Sequence, residues 1–522
     1  MAEIIETDVS SSAAGAIPAG DRRIRSIAIV GGGTAGWLAA SILARALPGS
    51  GCRITCIESP DIPTVGVGEA TIPPIIDLLR FLSINEADFV QHTQATYKLG
   101  IRFTDWGRAG ERYWHPFGTF GQSINLRPFH HAWHRARGAG LAPRFRDYSL
   151  AATLAEAGRF RLPDPRTAGP VSGLRYALHF DAALVARYLR SYSEKLGVQR
   201  LEATVEAATQ RADGLLEELV FKDGTRLGAD LFIDCSGFRG LLIEQTLKSG
   251  YLDWSNLLPC DRAVAVQTRL ASARSPFTEA IADSAGWRWR IPLQQRAGNG
   301  YVYASAHISD EQALETLLAS VGEQPLSDPR VLRFVAGRRR LLWNRNCVAL
   351  GLASGFLEPL ESTSIHLVVS GLYKLLEHFP DRDFVQPNID SYNEELIAEM
   401  DRIRDFIVLH YCLNAREHEP LWAYCRSMAL PDSLKERMEL YRTTGRIRTR
   451  PGELFTDLSW FYIFEGLGMR PERHDPLMDM VSTEQLREIL DTMARATAAG
   501  ARNAPLHDSY FAAAGPSAAG AR

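Results

Sequence analysis

The chain has 522 residues, of which 46% are hydrophobic and 23% charged, and its formal net charge at pH 7 is −3. This length suggests about three domains, and the composition excludes a wholly disordered chain, a fibre and a small disulfide-stabilised scaffold. The balance of acidic and basic residues indicates neither a nucleic-acid partner nor a polybasic membrane anchor. Seven cysteines without a CxxC pair argue against a disulfide framework and a zinc site.

The two ends of the chain differ in composition from the rest. Residues 1–22 and 496–522 are rich in small residues, and we predict that both are disordered tails. The acidic start lacks the apolar core of a signal peptide, and no run of about 18 apolar residues occurs, so we expect a cytoplasmic protein that no helix anchors in a membrane.

Strand-like and helix-like segments alternate between the tails, which predicts an α/β core over 23–385. Within it, the aromatic and proline-rich segment at about 80–150 shows little periodicity, and we expect it to face a substrate. Hydrophobic residues recur at intervals of three and four over 365–379 and 390–413. This pattern predicts helices, and we expect a mainly helical subdomain over 386–495.

A strand, a glycine-rich turn and a helix open the core. The apolar run 24–30 leads into a GxGxxG turn, and Glu58 ends the next apolar strand about 20 residues after that turn, where an acid binds the ribose of a dinucleotide. The glycines allow close approach, and the free N–H groups of the helix N-terminus suit a pyrophosphate. The alternative is a turn that only packs a helix on a sheet. The cofactor contacts predicted here are Gly31, Gly33, Thr34, Ala35, Gly36 and Glu58.

Two more glycine turns follow apolar strands far downstream. One contains Asp234 and Gly237, and the other contains Gly351 and Leu352. NAD dehydrogenases usually confine their cofactor to one Rossmann unit. A chain that returns twice to an extended ligand is better explained by FAD, which we expect as the cofactor.

The chain resembles the flavin-dependent tryptophan halogenases. The resemblance rests on the turn at 31–36, on the segment GVGEATIP at 66–73 and on a complete WxWxIP motif at 287–292, and it extends over residues 24–480. It implies a Rossmann-type FAD-binding core, similar to those of glutathione reductase and the aromatic hydroxylases, with a helical C-terminal subdomain. The resemblance leaves open whether the protein forms a homodimer.

The resemblance also implies a reaction. A separate flavin reductase would supply FADH2, which with dioxygen and chloride or bromide gives hypohalous acid. A tunnel would lead this acid to a lysine beside a small aromatic substrate, an indole or another electron-rich arene. The tunnel residues implied are Trp287, Trp289 and Pro292, although packing in the core explains the two tryptophans equally simply. Further cofactor contacts implied are Gly68, Glu69 and Ala70.

Two residues would carry the chemistry. Lys98 would be the halogenating lysine, although the alternation of apolar residues over 97–103 alone indicates a strand whose lysine faces solvent. Glu361 would orient the hypohalous acid or accept the proton lost from the ring, although alone it is explained as an acid at the start of a helix. The N–H groups of Thr363 and Ser364 at that helix N-terminus would bind the halide, where many family members have glycine in place of the serine.

The substrate residues depart from those of the tryptophan enzymes. His115 and Phe117 match the positions that sandwich the indole. The amino-acid part is held in those enzymes by two tyrosines, a glutamate and a Phe-Trp pair, which we assign to His410, Tyr411, Glu417, Leu421 and Trp422. Because a histidine and a leucine replace two of these aromatic residues, the expected clamp is incomplete.

Two other functions fit the sequence less well. An aromatic FAD monooxygenase usually has an acid after the glycine of its third flavin motif, where this chain has Leu352. A non-catalytic FAD-binding protein would not be expected to keep both Lys98 and Glu361.

We predict that indole is halogenated in preference to free L-tryptophan. A zwitterion needs buried partners for both charges, and the altered clamp should cost tryptophan roughly tenfold to a thousandfold in affinity. The measurement is a competition between both compounds at equal concentration with bromide. A product that is mainly bromotryptophan would show that the clamp is intact.

Overall fold

The computed structural model of the chain describes residues 21–61, 68–141, 144–167, 169–270 and 272–511. The predicted tail segments 1–20 and 512–522, and the first two residues of the GVGEATIP segment, lie outside these ranges. The described residues form thirteen α-helices, numbered α1 to α13 in chain order: Thr34–Ala46, Pro74–Phe81, Glu86–His92, Phe129–Gly138, Leu150–Glu156, Ala182–Lys195, Asp310–Val321, Ser364–Glu377, Gln386–Cys412, Pro420–Ser427, Asp432–Thr444, Asp457–Gly466 and Thr483–Arg502. No helix among them is long and apolar enough to cross a membrane.

The same residues form twenty-two strands. Numbered β1 to β22 in chain order, they are Ser26–Val30, Arg53–Glu58, Gly68–Ala70, Thr96–Lys98, Gly100–Thr104, Arg112–Pro116, Ala177–Asp181, Gln199–Glu202, Val205–Gln210, Leu216–Phe221, Arg226–Gly228, Leu231–Asp234, Tyr251–Asp253, Arg262–Arg269, Thr278–Asp283, Gly286–Pro292, Arg296–Tyr303, Arg330–Arg333, Gly337–Arg339, Trp343–Asn344, Cys347–Ala349 and Gly355–Phe356.

A six-stranded sheet in the order β20-β21-β12-β1-β2-β8 forms the core of the nucleotide-binding part. β1 pairs in parallel with β12 on one side and β2 on the other. Its apolar residues are buried, as expected for an interior strand of a parallel sheet covered on both faces. α1 connects β1 to β2 and packs against α6 and α8. The arrangement confirms the predicted α/β fold with a Rossmann-type core.

Two further sheets carry the other motifs. A seven-stranded sheet, β18-β14-β17-β16-β15-β5-β6, holds the WxWxIP motif on β16. A three-stranded sheet, β3-β7-β4, holds residues 68–70 on β3 and Lys98 at the end of β4. Both sheets are mainly antiparallel, with one parallel pair, β5 with β15.

Helices dominate the chain after β22, and the described residues contain no strand beyond it. α9 begins at Gln386, one turn before the predicted start at Asp390. A proline in its first turn explains the earlier start, because the N–H that proline lacks would be unpaired there. α9 packs against α8, α10, α11 and α12. The division into a box over 23–385 and a subdomain over 386–495 stays a prediction.

The segment around Lys98 differs from the expected strand. Residues 96–104 form two strands, β4 and β5, which belong to different sheets. Lys98 pairs with Ala177 of β7 and is fully buried. The expectation of a solvent-facing lysine from the alternation alone is therefore wrong, because both faces of this segment are covered by other elements.

The C-terminal tail predicted over 496–522 is wrong for residues 496–511. α13 continues to Arg502, and its Thr497 and Ala501 are buried one turn apart. His507 is fully buried, its Nε2 accepts a hydrogen bond from the backbone N–H of Tyr97 at 3.2 Å, and its Nδ1 donates to the carbonyl of Arg274 at 2.8 Å. Small residues that suggested disorder instead allow α13 to pack closely on α5.

We predict that His507→Ala destabilises the protein by about 2 kcal/mol, because the buried N–H of Tyr97 loses its acceptor. Urea unfolding followed by circular dichroism measures the change. The matched control is His474→Ala, which removes an exposed contact to Asp479 and should change stability by less than about 0.5 kcal/mol. Equal effects of the two variants would contradict the structural role of His507.

Candidate active site

The three glycine turns meet at the carboxyl ends of β1, β12 and β21. A Cβ atom on Gly31 would lie 2.3 Å from the carbonyl oxygen of Cys235 in the second turn, and Gly31 has a φ of +122°. A Cβ atom on Gly351 in the third turn would lie 2.9 Å from Cβ of Ala35. A Cβ atom on Gly36 would lie 1.7 Å from the carbonyl oxygen of Gly31. The glycines are needed because these turns touch one another directly.

The N-terminus of α1 faces open space. Among the described residues, no atom lies within 4 Å of a Cβ built on Gly33, no side chain caps the helix, and its first turn, which begins at Thr34, has no acidic residue. Gly237 of the second turn also faces open space, with a φ of +75°. Free N–H groups around a glycine-lined cradle are the donors that a diphosphate requires, so the residues present fit the FAD that the sequence predicts.

Three other predicted cofactor residues differ in their surroundings. Glu58 ends β2 beside the first turn, and Nε of Arg200 donates to its carboxylate at 2.7 Å. Leu352 is partly exposed at the third turn. The carboxylate of Asp234 is fully buried, and it accepts hydrogen bonds from the backbone N–H groups of Ser236, Leu242 and Ile243 at 2.8–3.0 Å. Asp234 therefore holds the second turn in place, and its contact with the cofactor stays a prediction.

β3 lies against the WxWxIP strand. A Cβ atom on Gly68 would lie 3.4 Å from Cγ2 of Ile291. Burial raises the pKa of Glu69 to about 7, and Ala70, the last residue of β3, is buried. The segment 68–70 and the WxWxIP motif thus form one continuous region of the structure.

Lys98 is buried, and none of the residues that the structure describes forms an ion pair in direct contact with it. Its Nζ donates to the backbone carbonyl of Thr71 and to Oγ of Ser362, each at 2.9 Å, and lies 5.4 Å from the ring centre of Phe117. Burial lowers the pKa of Lys98 to about 7, although the charge of Glu361 opposes the shift. Near neutral pH the lysine can therefore lose and regain a proton.

Glu361 is buried between two histidines. Nδ1 of His115 donates to Oε2 of Glu361 at 2.7 Å, and Nε2 of His410 lies 3.0 Å from Oε1. Burial alone would raise the pKa of Glu361, but His115 and then His410 outweigh it and hold the pKa at about 2. Glu361 is therefore ionised at neutral pH. The resemblance predicted that Glu361 acts together with Lys98, but the sequence predicted neither histidine contact.

The turn from Pro359 to Ser364 joins these groups. Ser362 has a φ of +60°, and this left-handed residue turns the chain from Glu361 into α8. Thr363 precedes α8 without a side-chain cap, and its Oγ1 is buried without a hydrogen-bond partner. Ser364 has a negative φ, so its backbone tolerates a side chain without strain. The N-terminus of α8 is thus free to receive an anion.

The two tryptophans of the WxWxIP motif have different surroundings. Nε1 of Trp287 donates to Oε2 of Glu358 at 3.0 Å, and the ring is fully buried. Trp289 is partly buried, and its ring fills the space above Gly300, where a Cβ atom would lie 2.0 Å from it. The carbonyl of Pro292 accepts a hydrogen bond from Thr96 at 2.6 Å, next to the lysine strand.

The residues of the expected amino-acid clamp do not all lie together. The hydroxyl of Tyr411 donates to Glu358 at 2.5 Å, Trp422 stacks on Tyr411 and donates to the carbonyl of Asp283, and Leu421 is fully buried. Glu417 is exposed in the loop between α9 and α10. Tyr411 and Trp422 thus pack around Glu358 in the core, and the assignment of Tyr411, Leu421 and Trp422 to the substrate pocket stays a prediction.

A different set of aromatic residues surrounds His115. The rings of Phe406, Phe455 and Tyr462 lie 5.6–6.0 Å from its ring, and Phe406 and Phe455 stack at 3.8 Å. A cavity of about 270 Å³ lies beside Trp460, and its lining includes residues of α9, α11 and α12. Sequence reasoning missed this aromatic wall; the aromatic run at 460–464 was the signal that could have revealed it.

The chain matches known halogenases over nearly its whole length. The family model described as tryptophan halogenase matches residues 26–483. Tryptophan 7-halogenase RebH of Lentzea aerocolonigenes is 35% identical, over 90% of this chain and 94% of its own. Tryptophan 6-halogenase SttH of Streptomyces toxytricini is 39% identical, over 80% of this chain and 83% of its own.

Solved structures agree with this assignment. BrvH, a flavin-dependent halogenase from Brevundimonas sp. BAL3, is 44% identical with a TM-score of 0.91, over 94% of this chain and 100% of its own. Xcc4156, a flavin-dependent halogenase from Xanthomonas campestris, has the same identity and TM-score and covers 94% of this chain and 98% of its own. The family favours halogenation over direct oxygen transfer and over a non-catalytic role. The chain belongs to the tryptophan halogenase family and is a flavin-dependent halogenase that uses FADH2 and a halide ion.

Proposed function

We propose that the protein halogenates an indole or another electron-rich arene at Lys98, with Glu361 as the proton acceptor. The observation that carries this proposal is that buried Lys98 donates to Ser362, the residue directly after buried, ionised Glu361. Burying charged groups costs free energy, and buried groups with shifted pKa values cluster at functional sites. Lys98 and Glu361 have strongly shifted pKa values, as expected for a catalytic pair.

The ammonium of Lys98 activates the halogen. Two of its N–H bonds are held by Thr71 and Ser362, and the third donates to the oxygen of hypohalous acid. The arene carbon attacks the halogen, the halogen–oxygen bond breaks, and the leaving hydroxide takes a proton from Lys98 to become water. Lys98 is left as a neutral amine.

Glu361 then takes the ring proton. The cationic ring loses its C–H proton to the carboxylate, which restores aromaticity. The protonated Glu361 has a pKa of about 2 and neutral Lys98 a pKa of about 7, so return of the proton to the lysine is favourable. The sum is one arene and one hypohalous acid giving one haloarene and one water.

The remaining predicted residues bind the flavin and the halide from which the hypohalous acid forms, and line its path to Lys98. When bound, reduced FAD from a separate reductase supplies hypohalous acid from dioxygen and the halide. In this proposal the glycine turns at 31–36, 237 and 351 hold its diphosphate and Glu58 its ribose. The N–H groups of Thr363 and Ser364 bind chloride or bromide, and Trp287, Trp289 and Pro292 line a tunnel that keeps the arene away from the flavin.

A neutral arene suits the pocket better than free tryptophan. In this proposal the ring binds beside Lys98 against Phe117, whose ring centre lies 5.4 Å from Nζ, and next to His115, which holds Glu361. Glu361 is already paired with His115, so it is not available for a substrate ammonium. We therefore assign the indole class rather than the amino acid that names the curated relatives.

The glycine cradle yields a test that separates cofactor binding from folding. Gly33 has an extended backbone and open space where a methyl group would lie, so Gly33→Ala should fold normally and weaken FAD binding by about tenfold or more. FAD titration by fluorescence quenching and urea unfolding measure the two effects. Gly138→Ala, at an equally open helix end, is the control and should change neither. Unchanged FAD affinity in Gly33→Ala would place the diphosphate elsewhere.

We predict that Lys98→Met abolishes bromination of indole while FADH2 oxidation continues, since the lysine acts after the flavin. The folded pKa of about 7 lies below that of a free lysine, so the penalty for burying the ammonium is complete below pH 7 and fades as the pH rises toward 10. The variant should therefore be more stable than the parent by about 1–3 kcal/mol at pH 6, and less so at pH 9.

The assay contains protein, FAD, a flavin reductase, NADH, bromide and indole, with mass spectrometry of the product. Glu361→Gln should lower the rate by about 10²–10⁴. Regioselective bromination by Lys98→Met would contradict the proposed role of the lysine.

A further inference from the structure

His410 was expected to contact substrate, but the structure places it against protein groups only. Its side chain is fully buried near the end of α9. Phe103 stacks on the ring at 4.8 Å, while Trp106 and Phe406 meet it edge-on at 6.0 and 5.4 Å. Aromatic rings pack against the imidazole from three sides and hold it in one orientation.

Both ring nitrogens of His410 face polar side chains. The hydroxyl of Tyr113 on β6 lies 3.0 Å from Nδ1, and Nε2 lies 3.0 Å from Oε1 of Glu361. Because the ionised carboxylate can only accept, the neutral ring carries its proton on Nε2, and Nδ1 is then the acceptor for the hydroxyl of Tyr113. Burial lowers the pKa of His410, although Glu361 opposes the shift, so the neutral form is the one that faces Glu361.

Glu361 needs this second contact. Its Oε2 is held by His115, whose ring borders the aromatic wall. A carboxylate fixed at one oxygen can rotate about its last bond, whereas proton transfer requires placement within about 0.5 Å. His410 approaches the other oxygen. Nε2 and Oε1 are not aligned as donor and acceptor, as is common for catalytic contacts before substrate binds.

We propose that His410 is a positioning residue for halogenation, which holds Oε1 of Glu361 through Nε2 and is itself held by Tyr113 through Nδ1. This inference rests on the proposed role of Glu361. It gives His410 a function in the rate of the chemical step and none in arene binding.

The protein offers a matched control for this pair. The hydroxyl of Tyr441 and Nε2 of His134 form a second buried tyrosine–histidine contact at 3.1 Å. This pair connects α11 to α4, and in the described part of the chain neither residue contacts Glu361. Variants of the two pairs remove the same groups at similar depth, so any loss of packing is common to both.

The test compares steady-state bromination of indole in His410→Phe, His410→Gln and Tyr113→Phe with His134→Phe and Tyr441→Phe. His410→Phe should lower kcat by about tenfold or more and change KM by less than about threefold, because only proton transfer is affected. Formation of hypohalous acid, followed with a chemical trap, should be unchanged. His410→Gln, whose amide can donate to Oε1, should recover most of kcat, and Tyr113→Phe should lower kcat by about threefold. The control variants should keep the parent kcat.

A double variant separates this inference from the proposed function. In a Glu361→Gln background, His410→Phe should cause no further loss, because the two residues act as one unit. The inference is overturned by a normal kcat in His410→Phe, by a raised KM at normal kcat, or by equal loss in the phenylalanine and glutamine variants. If Glu361→Gln itself keeps the parent rate, the proposed function fails and this inference with it. If His410→Phe does not fold, His410→Gln and Tyr113→Phe decide the question.

Discussion

The burial of the Lys98 ammonium is the constraint on which the site depends. A fully buried lysine in apolar surroundings would lose its proton outright. Here the carbonyl of Thr71, the hydroxyl of Ser362 and the charge of Glu361 compensate in part, and the pKa of the lysine lies at about 7. Two of these groups, Glu361 and Ser362, are adjacent at the end of the Pro359–Glu361 turn, so the position of this turn determines the surroundings of the lysine.

The end of α9 provides much of that support. His410 and Tyr411 are neighbours in sequence, yet they approach different acids, Glu361 and Glu358. As a result, the two acids have different pKa values. Burial raises the pKa of Glu358 to about 7, while two histidines hold that of Glu361 at about 2. One helix end thus fixes both ends of the turn; at neutral pH Glu361 is fully ionised and Glu358 only partly so. Through Trp287, Glu358 also connects the turn to the WxWxIP strand.

Sequence reasoning was most accurate where the chemistry is local. The strand, the GxGxxG turn and α1 are determined by neighbouring residues, and all three are present as predicted. The burial of Lys98 was not predictable from alternation, because its partner Ser362 lies 264 residues away. Resemblance to a family supplied Lys98 and Glu361. The rings around His115 were not predictable from spacing, because β6, α9 and the region of α12 come together only in the folded chain. Composition alone also misjudged the alanine-rich segment of α13.

The most direct test of the account is the titration of Lys98 itself. With lysine labelled at Cε with carbon-13, the resonance of Lys98, assigned by its loss in Lys98→Met, reports protonation of Nζ. The account predicts a midpoint near pH 7 in the parent. It predicts a lower midpoint in Glu361→Gln, because the glutamate charge raises the pKa of the lysine. A midpoint near that of a free lysine, about 10.4, in both proteins would contradict the claim that a buried, charge-coupled lysine organises the site.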